Sequence, residues 1–243
     1  MFDRRVTGDA LTFGVSGMLR QSNLIMWDQE TETWWQQGTM QGIVGEHSGE
    51  RLKLIPSQVI SWADFQETYP QGTVLSRLNT YPLYYGVSPY EFYDSSQPSL
   101  FEGQLDARLP ATERVVGLTL GGSPIAYPFQ TLSRKSVLYQ TLGGQEVVIL
   151  FAAQTVSPTD QRFIQESRAV GNAGVFLPVV DGRRMTLRKE GGVFLDQETG
   201  STWNILGKAI AGALKGHSLP PVFHTQPFWF YWQALHPDTE VYQ

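Results

Sequence analysis

An internal repeat is the sequence feature that most constrains the fold. Residues 2–13 resemble residues 176–187, and the run Asp-Gln-Glu-Thr at residues 28–31 recurs at residues 196–199. Corresponding Trp, Gly and Pro residues follow in the same order, over about 70 residues of each copy. Chance rarely preserves both order and spacing over such a length, so the chain is predicted to contain a duplicated folding unit.

The two copies differ in length, which predicts three segments. Residues 113–243 are a complete unit, whereas residues 1–75 are a partial unit, because nothing in them corresponds to residues 113–175. Residues 76–112 are an aromatic and Pro-rich connection, which predicts irregular structure packed on the units. The partial unit is expected to leave an apolar face. Residues 81–101, a core shared by both units, or a second copy of the chain would cover it.

Local patterns predict a mainly β fold with a few short helices. Apolar runs at residues 115–120 and 147–151 each neighbour a Gly-Gly turn, which is typical of β hairpins. Short helices are predicted at residues 62–68, after a Ser N-cap, and at residues 228–235. A third helix is considered at residues 205–214, although two glycines inside it oppose helix formation.

Charge and composition exclude several classes of function. The formal net charge is -5 and the Lys and Arg residues are scattered, so no surface for nucleic acid is predicted. No apolar run reaches the roughly 18 residues of a membrane span, and the first residues lack the apolar core of a signal peptide. The absence of Cys excludes disulfides, thiolate metal sites and Cys nucleophiles. The compartment stays open, and an extracytoplasmic location would require the removal of an upstream segment.

Several segments carry a family resemblance: residues 2–6, 11–17, 22–23, 28–37 and 196–203. Through them the chain resembles, over nearly its whole length, the uncharacterised bacterial and archaeal family catalogued as domain of unknown function 3179. Members of that family precede the Phe-Asp-Arg-Arg segment with a Tyr-Cys-Pro-Leu-Cys segment, which suggests a thiol or metal role. The matching stretch of the second unit reads Phe-Ala-Ala-Gln at residues 151–154. The resemblance therefore implies kinship without a reaction, and any Cys-dependent function is absent from this chain.

Three polar residues are candidates for catalysis. Ser16 lies in the run Gly-Val-Ser-Gly, but a nucleophile elbow requires Gly two residues away on each side, so a turn or bulge is the alternative interpretation. Asp28 and Asp196 occupy equivalent positions, where carboxylates could act as acid and base or bind a hard cation. The pattern Asp-x-x-Thr also favours a turn in which the carboxylate accepts hydrogen bonds from backbone amides.

The His residues offer a second set of candidates. His217, His224 and His236 lie near the C-terminus, and His47 lies in the first unit. A zinc or copper site formed by the last three is one interpretation. Their spacing does not put them on one face of a helix or strand, so solvated or hydrogen-bonded loop residues are the other interpretation. No metal and no other cofactor is predicted. In a hydrolase, His224 or His236 would act together with Ser16 and an Asp.

Trp residues are candidates for ligand binding. Trp34, Trp35, Trp203 and Trp229 could stack on a flat ligand such as a sugar ring. Trp recurs at equivalent positions of both copies, since Trp35 aligns with Trp203 and Trp62 aligns with Trp229. Large aromatic side chains dominate core burial, so the alternative is that these rings form the cores. We expect Trp35, Trp203 and Trp229 to be buried.

Taken together, these features favour a non-catalytic β scaffold that binds a partner or a small polar ligand, because no complete catalytic set is recognisable. One alternative is an ester or lactone hydrolase that uses Ser, His and Asp, and a second is a protein that binds a metal through His and Asp. Whether the protein is an enzyme stays open. The expected partners are a small ligand and a second copy of the chain, without nucleic acid.

Overall fold

The computed structural model describes residues 1–77 and 84–243. With 37% of the residues in strands and 11% in helices, the predicted mainly β fold is confirmed. Part of the connection, including Tyr81, lies outside the described residues. Within the described part of the chain, no helix is long and apolar enough to cross a membrane.

The first segment folds as a hairpin, a four-stranded sheet and a helix. Its elements are β1 (Arg5–Val6), β2 (Asp9–Ala10), β3 (Phe13–Arg20), β4 (Asn23–Asp28), β5 (Trp34–Gln36), β6 (Gln41–Val44) and α1 (Trp62–Thr68). The sheet is antiparallel with the order β3-β4-β5-β6. Helix α1 begins after Ser61, whose hydroxyl accepts a hydrogen bond from the Asp64 amide at 3.1 Å. Five buried side chains form the core of this segment: Val6, Leu11, Met26, Trp35 and Leu52.

The second segment contains three larger sheets and a short hairpin. Its elements are β7 (Val115–Leu120), β8 (Ser123–Pro128), α2 (Phe129–Arg134), β9 (Val137–Leu142), β10 (Gln145–Ala152), β11 (Asn172–Phe176), β12 (Val179–Val180), β13 (Arg183–Arg184), β14 (Leu187–Glu190), β15 (Val193–Asp196), β16 (Thr202–Trp203), β17 (Ala209–Ala211), α3 (Trp229–Leu235) and β18 (Glu240–Val241). The larger sheets have the orders β11-β10-β9, β18-β8-β7 and β14-β15-β16-β17. Only the pairing of β18 with β8 is parallel among these described sheets.

Strand β10 is the centre of the second segment, because both of its faces are buried. Val147, Ile149 and Phe151 lie in a core shared with β7, β8 and α2. Val148 and Leu150 alternate with them and lie in the core of the β14–β17 sheet. A strand that is buried on both faces needs apolar side chains at every position, which explains its uninterrupted apolar sequence.

The two four-stranded sheets share their strand order and their pairing. Trp35 of β5 pairs with β4 on one side and β6 on the other, and Trp203 of β16 pairs with β15 and β17 in the same way. A register shift lies next to each of these Trp residues. These features support the duplication, which stays a prediction that a superposition of residues 2–75 on 176–242 would test.

The third helix considered at residues 205–214 is wrong. Gly207 and Gly212 have φ angles of 68° and 90°, and an α-helix cannot continue through such a conformation. The segment instead forms turns and the short strand β17, which pairs with β16.

The described part of the connection packs on the second segment, as its aromatic content predicts. The Phe101 ring contacts Phe230 of α3, with centroids 5.2 Å apart. The Tyr93 ring, in a 3-10 turn at Tyr93–Ser95, lies 5.7 Å from Phe228. The connection therefore covers the start of α3.

A buried ion pair fixes the connection in place. The Asp94 side chain is 1% exposed and accepts a hydrogen bond from Arg114 Nη2 at 2.8 Å and another from the Thr159 hydroxyl. The Arg114 guanidinium also donates to the Ser157 hydroxyl and lies 4.6 Å from the centre of the Phe228 ring. Burial opposes the ionisation of Asp94, but the hydrogen bonds and the Arg114 charge outweigh it and lower its pKa. Asp94 is therefore an ionised anchor.

Apolar side chains of the first segment reach the surface. Val15, Val59 and Trp62 are each more than half exposed. These exposed side chains are consistent with the apolar face that is expected of a partial unit. That a second copy of the chain covers this face stays a prediction.

Candidate functional site

Asp28 and Asp196 each cap a turn within their own sheet. Asp28 Oδ2 accepts a hydrogen bond from the Trp35 indole at 2.8 Å, and Oδ1 accepts one from the Thr31 amide at 2.7 Å. In the second segment, the Trp203 indole donates to Asp196 Oδ2 at 2.7 Å and the Thr199 amide donates to Oδ1 at 2.6 Å. Both carboxylates are thus occupied by their own turns, as the turn interpretation expects.

These hydrogen bonds determine the charge of the two carboxylates. Burial would raise the pKa of Asp28 and Asp196, but hydrogen bonds from the indole and from the Thr amide and hydroxyl outweigh burial and lower both pKa values below 3.8. A general acid needs a pKa near the working pH. The arrangement therefore favours a structural role over acid catalysis at neutral pH.

Acid is expected to weaken the fold through these two turns. Because the pKa of each carboxylate is lowered in the folded state, its stabilisation is present above the unfolded pKa and is lost as the pH falls through the folded pKa. We expect the free energy of unfolding of an Asp28→Asn, Asp196→Asn double variant to fall less steeply than that of the wild type, between about pH 4 and pH 2. Urea unfolding at several pH values measures this, and identical slopes would contradict it.

Ser16 lies at an irregularity of strand β3. Its hydroxyl donates a hydrogen bond to the Ile25 carbonyl and accepts one from the Met18 amide at 3.1 Å. The pairing of β3 with β4 shifts register between Val15 and Leu19, so Ser16 occupies the bulge that the flanking glycines predict. Its hydroxyl proton is directed to a backbone carbonyl.

The four His residues lie in separate surroundings. Each has its own partner: His47 with Glu50, His217 with Asp181, His224 with the Val222 carbonyl, and His236 with the Trp232 ring. In the described ranges, no three His, Asp or Glu side chains gather into a group that could hold a metal ion. The candidate ligands and the candidate catalytic residues are not brought together there.

The expected burial of Trp35, Trp203 and Trp229 is found, but the core interpretation is wrong for Trp62, which aligns with Trp229 and is 54% exposed. Trp35, Trp203 and Trp229 are all 0% exposed, whereas Trp34 is partly exposed in the middle of its sheet. A ring without an exposed face offers no surface on which a ligand could stack, so burial favours the packing role for these three.

A large cavity lies between the two segments, and sequence reasoning missed it. Its volume is about 750 Å³. The first segment contributes one wall through residues around β5, and the second segment contributes the other through β7, α3 and the loop before α3. Apolar and polar side chains alternate along the walls; among them are Phe2, Met40, Leu54, Phe223 and Trp232, together with Asn23, Gln37, Arg51, Tyr231 and His236.

Positive charge predominates among the cavity's side chains. Arg51, His236 and Tyr231 are its ionisable side chains, and no Asp or Glu of the described residues lines it. Burial and, to a smaller degree, the Arg51 charge lower the pKa of His236 below 6.5. Burial raises the pKa of Tyr231, and its buried hydroxyl finds no hydrogen-bond partner among the described protein groups. At neutral pH the side chains of the cavity therefore include one permanent cation, Arg51, and the neutral imidazole of His236, while the Tyr231 hydroxyl is buried against Gly38.

A second cavity adjoins the first. It has a volume of about 420 Å³, and Asn23 and Tyr231 line both spaces. Aromatic rings from the connection and from the start of α3 form much of its wall: Tyr90, Tyr93, Phe228 and Phe230. The aromatic content of the connection at residues 76–112 was a sequence signal for this region. Nothing in the sequence indicated that α3 would face the first segment.

The fold and the cavities together define a class: a mainly β protein in which two β segments and an aromatic connection enclose a space of mixed polarity. The sequence model of one family, described as "Protein of unknown function (DUF3179)", matches residues 1–239, and the chain belongs to that family. The resemblance stated from the sequence motifs is thereby confirmed. No curated protein and no solved structure matches the chain. The family description names no activity, so function is argued from the site.

Proposed function

We propose that this protein is a non-catalytic binding protein whose ligand occupies the cavity between the two segments. The observation that carries the proposal is the cavity itself, at about 750 Å³. Binding sites for small molecules are concave spaces of roughly 300–1,000 Å³ with mainly apolar walls and a few placed polar groups. The cavity has this size and this mixture of groups.

The walls of the cavity are held in place by packing, which is what a preformed site requires. Helix α3 forms one wall, and its Trp232 is buried against β7 and β8. On the facing wall, Gly38 lies directly against the Tyr231 ring, so that a Cβ at this position would fall 1.6 Å from the Tyr231 hydroxyl. The absence of a side chain at Gly38 allows α3 to meet the first segment closely.

The hydrolase alternative lacks a comparable observation. Ser16 donates its hydroxyl proton to the Ile25 carbonyl, and Asp28 is occupied by its turn. His224 is buried beside the Val222 carbonyl. A catalytic triad requires a hydrogen bond between its nucleophile and its base. The Ser16 hydroxyl donates its proton to a backbone carbonyl instead.

Filling the cavity should abolish binding. We expect fragments found by ligand-detected NMR with the full chain to lose affinity at least about tenfold in Thr39→Trp, because the new ring occupies the cavity that Thr39 lines. The matched control is Thr141→Trp, at an exposed position of β9 away from the cavity, and its affinities should match the wild type. Circular dichroism first establishes that both variants fold. Equal binding by both variants would move the site elsewhere, and a screen without any binder would refute the proposal.

A further inference from the structure

The electrostatics of the cavity between the two segments indicate the chemistry of its ligand. The protein as a whole is acidic, with a formal net charge of -5. The cavity nevertheless has Arg51 in its wall and no described carboxylate among its lining residues. A cationic site in an acidic protein repels cationic molecules locally and favours an anion, since charge complementarity sets specificity.

Arg51 is available for such an anion. No ion pair joins its guanidinium to any carboxylate of the described residues. Its backbone is fixed by a bridge to Gln41, and the next residue, Leu52, is buried in the core of the first segment. The exposed Arg51 side chain therefore extends from a fixed backbone position, and no described group occupies its guanidinium donors.

Resting on the proposed binding function, we infer that the ligand is a small amphiphilic carboxylate. Arg51 holds the carboxylate, because the planar guanidinium matches a carboxylate with two parallel hydrogen bonds. The apolar body lies along Phe2, Leu54, Phe223 and Trp232, which line the same cavity.

The wall opposite Arg51 favours the same ligand. His236 closes α3 as its C-cap and contacts the Trp232 ring in a tilted arrangement, with ring centroids 4.1 Å apart. Because its pKa is lowered, His236 is a neutral hydrogen-bonding group at neutral pH and leaves Arg51 as the charged side chain of the cavity. Recognition is thus assigned to the Arg51 cation and an apolar surface, without a described carboxylate that would bind an amine.

The test compares ligands of one chain length with different head groups. Octanoate, 1-octanol and octylammonium are titrated into the full chain by isothermal titration calorimetry, and acetate serves as the head group alone. We expect octanoate to bind about tenfold or more tightly than 1-octanol, since hydrogen bonds to charged groups contribute that much. Octylammonium should bind more weakly than the alcohol, and acetate should bind far more weakly than octanoate because it lacks the apolar contacts.

Arg51 variants assign the effect to one residue. Arg51→Gln should weaken octanoate about tenfold and leave 1-octanol within about twofold, whereas Arg51→Lys should be intermediate because it keeps the charge but not the planar fork. Arg188→Gln, on the exposed face of β14, is the control and should change neither ligand. Equal affinities for alcohol and carboxylate, or an Arg51→Gln variant with wild-type affinities, would overturn the anion inference and leave the binding function standing. Failure of every probe to bind would overturn both.

Discussion

Replacement of Trp229 by Ala should destabilise the protein by about 3–5 kcal/mol, the range found when large aromatic side chains are removed from cores. Trp229 is 0% exposed and packs with Val115 and Ala126. Its indole donates a hydrogen bond to the Asp106 carbonyl at 3.1 Å. In the variant this carbonyl would lose its donor. The loss therefore combines a cavity with an unmade hydrogen bond.

The aligned residue of the first segment provides the matched control. Trp62 begins α1 as Trp229 begins α3, but it is 54% exposed and stacks only on Phe65 among the described rings, with centroids 5.4 Å apart. Trp62→Ala should cost less than about 1 kcal/mol, as is usual for exposed positions. Chemical unfolding followed by far-ultraviolet circular dichroism compares the two variants. Equal losses would mean that α1 packs as deeply as α3 does, contrary to the structure.

Breaking the Asp94–Arg114 ion pair should have an effect of similar size. In Asp94→Ala, the Arg114 guanidinium keeps its burial, at 18% side-chain exposure, but loses its carboxylate. An unpaired buried charge typically costs about 3–5 kcal/mol. Because Arg114 keeps its hydrogen bonds to Ser157 and Thr159, we expect a loss of about 3 kcal/mol. The described part of the connection should also become more accessible to proteases, because Asp94 fixes it to the second segment.

Two further variants separate the buried charge from general damage to the connection. Asp106→Ala removes a carboxylate of the same connection whose partner, Arg108, is 43% exposed, and it should cost less than about 1 kcal/mol. Arg114→Met in the Asp94→Ala background removes the unpaired charge and should recover part of the stability. The stability lost by the Asp94→Ala, Arg114→Met double variant is compared with the losses of the Asp94→Ala and Arg114→Met single variants. If the double variant lost as much as the two single variants together, the ion pair would not be what holds the segment.

Several features of the fold were predictable because their signals are local. The hairpins of the second segment follow from apolar strands that flank Gly-Gly turns, and both strand pairs form. The turns at Asp28 and Asp196 follow from a carboxylate that reaches an amide three residues further along the chain. The helix considered at residues 205–214 does not form, because Gly207 and Gly212, the residues that opposed it in the sequence, take a conformation that a helix excludes.

The sequence by itself determined the mainly β class, the Asp turns and the kinship to the family, because each depends on residues close together in the chain. The recurrence of Trp at aligned positions of the two copies also predicted the burial of Trp35 and Trp203. The cavity was decided only by the tertiary structure. Arg51 and His236 belong to opposite ends of the chain and line one cavity only because α3 packs between β7 and the first segment. Such a contact depends on how whole surfaces fit together, and no spacing or periodicity within either segment records it.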